Sequence, residues 1–360
     1  VTKMSIFRDF FVKEKPVFTG ITRGIGGFGF GSGGDTGAAS PGFSASGGNA
    51  EYTLNGYKYH VFESSGSLVA ETGSDEVEFL IIAGGGGSGA GCSNDYGRGG
   101  GGGGAGGVRC SFQGLTPGGP SASPESGLTC TAGTTYPVTV GDGGAGFGCG
   151  TGSSPGNGSD SSFGPPSSPQ RVFAGGGARG VGSRNNAGVN SGGGSAGGAS
   201  ASEDQNLAGG SASATGQGVN PSVVGGYPGG GTEPESNICG GGGGAGGAGQ
   251  VAADGNESKF GKGGAGMPFP TAMIPPSYGN ASPSGPGRWF AQGGYGESID
   301  EAGTYTNEGG GGTNPHNTNA GNAPGGKNGV ANTGSGGGGM GDGETGGNGG
   351  SGIVFLRYRV

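Results

Sequence analysis

Glycine supplies 105 of the 360 residues, charged residues only 12%, and the formal net charge is −8 with a pI near 4.8. No basic cluster exceeds a few residues, so the electrostatic footprint of a nucleic-acid binder is missing and nucleic acid is not expected as a partner. The apolar runs are too short to span a bilayer, there is no strict Gly-X-Y register with proline, and no secretory signal pattern opens the chain, which argues against a membrane span, a collagen triple helix and a signal peptide.

The glycines are clustered. Runs at Gly84 to Gly87, Gly99 to Gly104, Gly240 to Gly244 and Gly336 to Gly339 alternate with short apolar segments. Each glycine ordered costs about 0.5–1 kcal/mol more backbone entropy than alanine. Something that needs the side chain to be absent must offset that cost, and main chains packed directly on main chains meet the requirement.

In chain order, residues 1–30 come first. Met4 to Phe30 is aromatic, basic and nearly free of glycine until Gly20. Phe7, Phe10, Phe11, Val17 and Phe18 cannot form a core in so few residues, so this segment reads as an arm whose aromatics a partner buries; a tail folded back on its own domain is the competing reading. Gly24-Ile-Gly-Gly-Phe-Gly29 matches G-x-G-x-x-G loosely but lacks the strand, helix and βαβ unit that give that fingerprint meaning. A Gly/Ser/Ala linker is expected over 31–49.

From residue 50 to 360 the pattern predicts one glycine-rich β domain. Strands are expected over about 56–83 (Gly56–Phe62, Ser67–Ala70 and Val77–Ile82), 108–112, 136–140, 161–174 and 352–359. The run Val77 to Ile82 is apolar nearly throughout, which predicts a strand buried on both faces. Several strands abut glycine runs directly, so the β core should emit glycine strands from its ends and the last strand should return to close it. The fold class expected is all-β: a small sandwich-like core with polyglycine II-type extended helices bundled over about 175–350, and no significant α-helix. No fixed-period repeat marks a solenoid of equal coils.

Candidate chemistry is sparse. Five cysteines (Cys92, Cys110, Cys130, Cys149, Cys239) form no C-x-x-C pair and have no histidine nearby, so no zinc site is expected; reduced thiols are the main reading, with a Cys110–Cys130 bridge left open. Gly141-Asp-Gly-Gly144 and Gly341-Asp-Gly343 lack calcium-loop spacing. His60 and His316 stand without a carboxylate or nucleophile pattern around them. No cofactor, metal or catalytic residue is expected. The aromatic and proline concentration of the second half, with Phe269, Tyr278, Trp289, Phe290, Tyr295 and Tyr305, leaves two readings: exposed rings that contact a receptor, or rings that cap the glycine bundle.

Taken as an ordered set, Gly56-Tyr-Lys-Tyr-His-Val-Phe62, the passage from Val77-Glu-Phe-Leu-Ile-Ile-Ala83 into Gly84 to Gly87, Tyr136-Pro-Val-Thr-Val-Gly-Asp-Gly-Gly144, Asp160-Ser-Ser-Phe163 and Gly352-Ile-Val-Phe-Leu-Arg-Tyr358 resemble the glycine-rich domain of tailed-phage virion proteins, common in phages of marine bacteria and cyanobacteria. The resemblance covers about residues 50–360. It implies a structural or fibre-associated role at the virion surface, with other virion proteins as partners through the arm, several copies per particle, and a host glycan or outer-membrane protein as a receptor. Adhesins at the tips of some phage fibres are similar in packing polyglycine helices with variable loops at one end. A capsid-surface decoration, an ice-binding or extracellular glycine-rich protein, and a condensate-forming chain are the competing expectations; long aromatic and acidic insertions count against the second, and the shortage of arginine-glycine repeats against the third.

Overall fold

β-Branched and aromatic residues at alternate positions make the strands, and glycine ends them. The computed structural model describes residues 42–91, 99–113, 125–148, 154–166, 170–182, 194–199, 226–232, 239–251, 261–282, 285–296, 311–312, 328–340 and 345–360. Among the described residues fourteen strands are formed: β1 (Ser44–Ser46), β2 (Ala50–Leu54), β3 (Tyr57–Phe62), β4 (Gly66–Thr72), β5 (Ser74–Ile82), β6 (Val108–Cys110), β7 (Leu128–Thr131), β8 (Thr135–Thr139), β9 (Ser161–Phe163), β10 (Val172–Ala174), β11 (Met267–Phe269), β12 (Asn280–Ser282), β13 (Gly285–Phe290) and β14 (Ile353–Arg359). Among the described residues there is no helix, and the class is all-β, as the sequence predicts.

The strands make three antiparallel sheets. A five-stranded sheet runs β1-β4-β8-β9-β10, a three-stranded one β11-β13-β12, and a six-stranded one β2-β3-β14-β5-β6 with β7 also paired to β5. The last strand therefore lies in the middle of the largest sheet, where Val354 sits between Phe62 of β3 and Ile81 of β5. β3 and β5 are thus joined in this sheet only through β14, which comes far later in the chain.

The six-stranded sheet is the central layer. On one face Phe62, Val77, Phe79, Ile81, Val354 and Leu356 pack with Leu68, Val138 and Phe163 of the five-stranded sheet. On the other, Tyr59, Val61, Leu80, Ile82 and Phe355 pack with Met267, Phe269 and Phe290 of the three-stranded sheet. Because side chains alternate across a strand, β5 needs apolar residues at both parities, which explains its unbroken Phe79-Leu-Ile-Ile82 run and bears out burial on both faces.

Four features were not foreseen, the first being β2, which lies ahead of the strand expected from Gly56 and pairs with it as β3. β1 falls inside the segment expected as a linker over 31–49; its Ser-Ala-Ser sequence carries no β signal, and pairing with β4 supplies the order. β7 is a short Leu-Thr-Cys-Thr alternation whose buried residues are Leu128 and Cys130. The three-stranded sheet was hidden by its prolines: Pro268 lies on β11, an edge strand, where a missing N–H is tolerated.

Two buried cations brace the core, Arg109 between two sheets and Arg357 within the six-stranded one. Arg109 of β6 forms a two-pronged ion pair with Glu125, both within the protein interior, and its Nη1 donates to the Phe173 carbonyl of β10 at 3.0 Å. Arg357 of β14 lies between the rings of Phe112 and Tyr57, 3.8 and 4.2 Å from their centroids, and donates to Glu78 Oε2 at 2.5 Å and Tyr59 Oη at 2.9 Å. Removing one member of a buried pair leaves an uncompensated charge. Glu125→Ala is therefore expected to cost about 3–5 kcal/mol in a denaturant titration; an unchanged midpoint would show that Arg109 finds another partner.

Candidate functional site

Beyond the sheets the chain builds a lattice largely from main-chain hydrogen bonds. In the run 84–91, which leaves β5, Gly84 and Gly87 donate to the carbonyls of Ser159 and Gly156, Gly85 and Ser88 to Gly350 and Gly347, and Gly86 and Gly89 to Gly104 and Gly101, all at 2.8–3.0 Å. Each neighbour is addressed at every third residue, and its number falls by three each time, so it runs antiparallel. A three-residue repeat is what an extended helix with three residues per turn requires. The same run's carbonyls accept from three further segments: Gly84 and Gly87 from Gly177 and Gly180, Gly85 and Ser88 from Gly144 and Phe147, Gly86 and Gly89 from Gly337 and Met340.

The run 99–107 is enclosed in the same way. It donates to 334–340, 175–181 and 240–243, and accepts from 83–89, 195–198 and Gly294. Its bonds to Gly240 and Gly243 rise together in number, so that one neighbour is parallel. Each of these two runs is thus surrounded by six others.

Glycine is needed here for its missing side chain and not for its torsional freedom. The glycines with positive φ, such as Gly56, Gly133 and Gly334, lie outside these two runs. A Cβ built on Gly85, Gly86, Gly87, Gly103 or Gly242 would be driven into the carbonyl oxygen of Ser335, Ala178, Ala145, Gly86 or Gly103 respectively. Where the lattice meets the β core, methyl groups do fit: Ala105, Ala245 and Ala291 join the apolar cluster of Phe269, Phe290 and Phe355.

Each run has one end at the sheets and one end away from them. At about 3 Å per residue the run 84–91 carries the chain roughly 20 Å outward. At that far end Gly91 and Gly100 both donate to the Met340 carbonyl, and Ala90 packs with Phe147. The described residues that flank the segments 92–98, 149–153, 233–238, 252–260 and 341–344 lie at this end of the lattice, as their register shows. The segments themselves lie outside the described residues.

The candidate site residues divide accordingly. Phe7, Phe10, Phe11, Val17, Phe18 and Tyr305 lie outside the described residues, as do Cys92, Cys149 and His316. The reading of Phe269, Phe290 and Tyr295 as exposed receptor contacts is corrected: all three are buried, Phe269 and Phe290 meeting edge to face at 5.7 Å. Tyr278 is half-buried, with its ring edge-on to Phe355 at 5.3 Å. Trp289 is half-buried on β13, opposite Pro268 and Asn280, and its indole N–H has no hydrogen-bond partner. Residues 267–290 thus cap the lattice at its β-core end. Apolar residues at Met267, Phe269 and Phe290 all turn inward, and that alternation is what withdraws the rings from the surface.

The remaining groups are structural. Cys110, Cys130 and Cys239 are buried; Cys110 and Cys130 are free thiols, and burial pushes both up to about 12. Cys110 stands opposite Leu80 of β5 and Cys130 opposite Asp75, about 16 Å apart along the strand, so the bridge left open by the sequence is not made. Among the described residues no group of three or more His, Cys, Asp or Glu stands together as a metal site. A cleft of about 440 Å³ borders Asp142, Asn328, Asn348 and Ser351. Its amides serve the backbone: Asn348 Oδ1 accepts from Gly146 N–H at 2.7 Å and Asn328 Oδ1 from Asn348 N–H at 2.8 Å.

Gly242 and Gly247 test the lattice. A methyl at Gly242 collides with backbone, whereas at Gly247 its nearest neighbours are 3.5 and 3.6 Å away. Gly242→Ala is expected to cost about 3 kcal/mol or more, while Gly247→Ala is neutral or slightly stabilising. Equal melting temperatures for the two variants would contradict the packing.

No curated protein is matched by this chain. A family model described as a glycine-rich domain matches residues 63–359, from the residue after β3 to the end of β14. That span takes in the lattice and most of the sheets that anchor it, and the chain belongs to this glycine-rich domain family.

Proposed function

We propose that the protein is a non-enzymatic structural component of a tailed-phage virion, a tail-fibre or surface-appendage protein that takes part in host attachment. In this reading the runs are polyglycine II-type helices that act as a stiff spacer, residues 1–30 join the body to another virion protein, and the connections at the far end of the lattice meet the host surface. The observation that carries it is that the residues flanking five chain connections lie together at one end of the lattice, whose other end is closed by a β core. Loops on a rigid scaffold are where binding resides when the scaffold itself presents few side chains. The connections are also where side-chain chemistry returns, with Asp95, Glu233, Glu235, Asp254, Glu257 and Asp342 among their residues. The ordered resemblance over residues 50–360 supports the virion setting.

Two alterations separate the roles. Deleting residues 1–30 is expected to leave a folded body that no longer enters particles; normal incorporation would remove the docking role. Replacing each of the five connections by a Gly-Ser segment of equal length is expected to leave melting and incorporation unchanged and to lower adsorption to host cells for at least one of them. Unchanged adsorption for all five would instead favour a surface decoration without a receptor role.

A further inference from the structure

His60 is the one described histidine, and it sits where the chain crosses between two sheets. β1 belongs to the five-stranded sheet and β2 to the six-stranded one. The turn between them passes through Gly47 and Gly48, both at positive φ (128° and 94°), and brings the Gly47 carbonyl to the Nδ1 edge of the His60 ring of β3. The ring is fully buried; its Nδ1 is 2.8 Å from the Gly47 carbonyl and 3.3 Å from Glu51 Oε1. A carbonyl only accepts, so the neutral ring carries its proton on Nδ1. Nε2 is then a bare acceptor, buried and with no hydrogen-bond partner.

We propose that His60 is a proton-operated latch: neutral, it ties the Gly47 turn and β1 to the body; protonated, it lets β1 leave the edge of the five-stranded sheet. A second proton would convert Nε2 into a buried donor with no protein acceptor in reach, a costly state. The charged and titratable groups facing the ring are Glu51 on β2, Lys58 on β3, Glu71 on β4 and Tyr358 on β14, whose ring stacks on it at 5.8 Å. Glu51 favours the charged ring, but its carboxylate is 38% exposed and already bonded to Lys58 at 2.9 Å. Burial dominates and holds the imidazole below its ordinary value of 6.5, against the opposing pull of the Gly47 carbonyl and Glu51.

The sign follows from linkage. The open form takes up a proton first as pH falls through about 6.5, so the latch is fully closed above that value and weakens progressively below it. β1 is the element that yields. It has three residues, pairs only with β4, and shifts register between Ser44 and Ala45. β3, by contrast, is held between β2 and β14. The other ties of β1 are few: Tyr358 Oη accepts from Ala45 N–H at 3.1 Å, and Ser44 and Thr72 share a hydroxyl contact at 2.7 Å.

Amide exchange of the full chain at pH 7.5 and pH 5.0, corrected for intrinsic rates, tests the latch. Residues 42–50 are expected to lose protection at the lower pH while 353–359 keep theirs, and His60→Gln, which does not titrate, is expected to abolish the pH dependence. Should that variant not fold, the wild-type His60 ring signal followed by NMR carries the test, with a midpoint below 6.5 expected. Unchanged protection of 42–50 at pH 5.0, the same pH-dependent loss in His60→Gln, or a midpoint at or above 6.5 would overturn the proposal.

Discussion

Main-chain hydrogen bonding between neighbouring extended runs is the interaction on which the rest of the structure depends, and it exists because the Cβ atoms are missing. Each ordered glycine costs about 0.5–1 kcal/mol more entropy than alanine, and each hydrogen bond returns a net of about 0.5–1.5 kcal/mol. The two terms are comparable residue by residue. The lattice stands only if nearly every peptide group in its interior is used, and Gly86 illustrates how: its N–H goes to Gly104 and its carbonyl to Gly337. A single unpaired group or one intruding methyl removes the balance locally.

A lattice of this kind has few side chains with which to fix its own register. The sheets supply it. Runs start where strands end, as at Ile82 into the run 84–91, Ala174 into 175–182 and Phe290 into 291–296, so the ladder of each sheet sets the phase of the run that follows. The central position of β14, paired to both β3 and β5, closes the same sheet from the other end of the chain. Order therefore passes from side-chain packing in the three-layer core to main-chain packing beyond it.

The sequence announced the core strands well because their apolar residues are dense: Val77 to Ile82 and Ile353 to Tyr358 could be little else. It announced the lattice through cost, since so many glycines demand a reason. Which runs neighbour which was not legible, because Gly-Gly-Gly-Gly carries no partner code; pairing is decided by where the strands deliver each run. The aromatic segment from Met267 left two readings open for a related reason. Prolines and turn residues masked an edge strand, and rings that looked available for contact are the cap between sheet and lattice. Trp289 and Tyr278, half-buried at the margin of that cap, show how little separates the two readings in composition alone.

Residue-resolved amide exchange across 84–91 and 99–107 in the intact protein tests the central claim most directly. If these runs are held by bonds to six neighbours, the amides of Gly85, Gly86, Gly103 and Gly104 will exchange as slowly as those of β14, through global opening only. Exchange of these glycines at the rate of an unstructured chain, while β14 stays protected, would contradict the lattice.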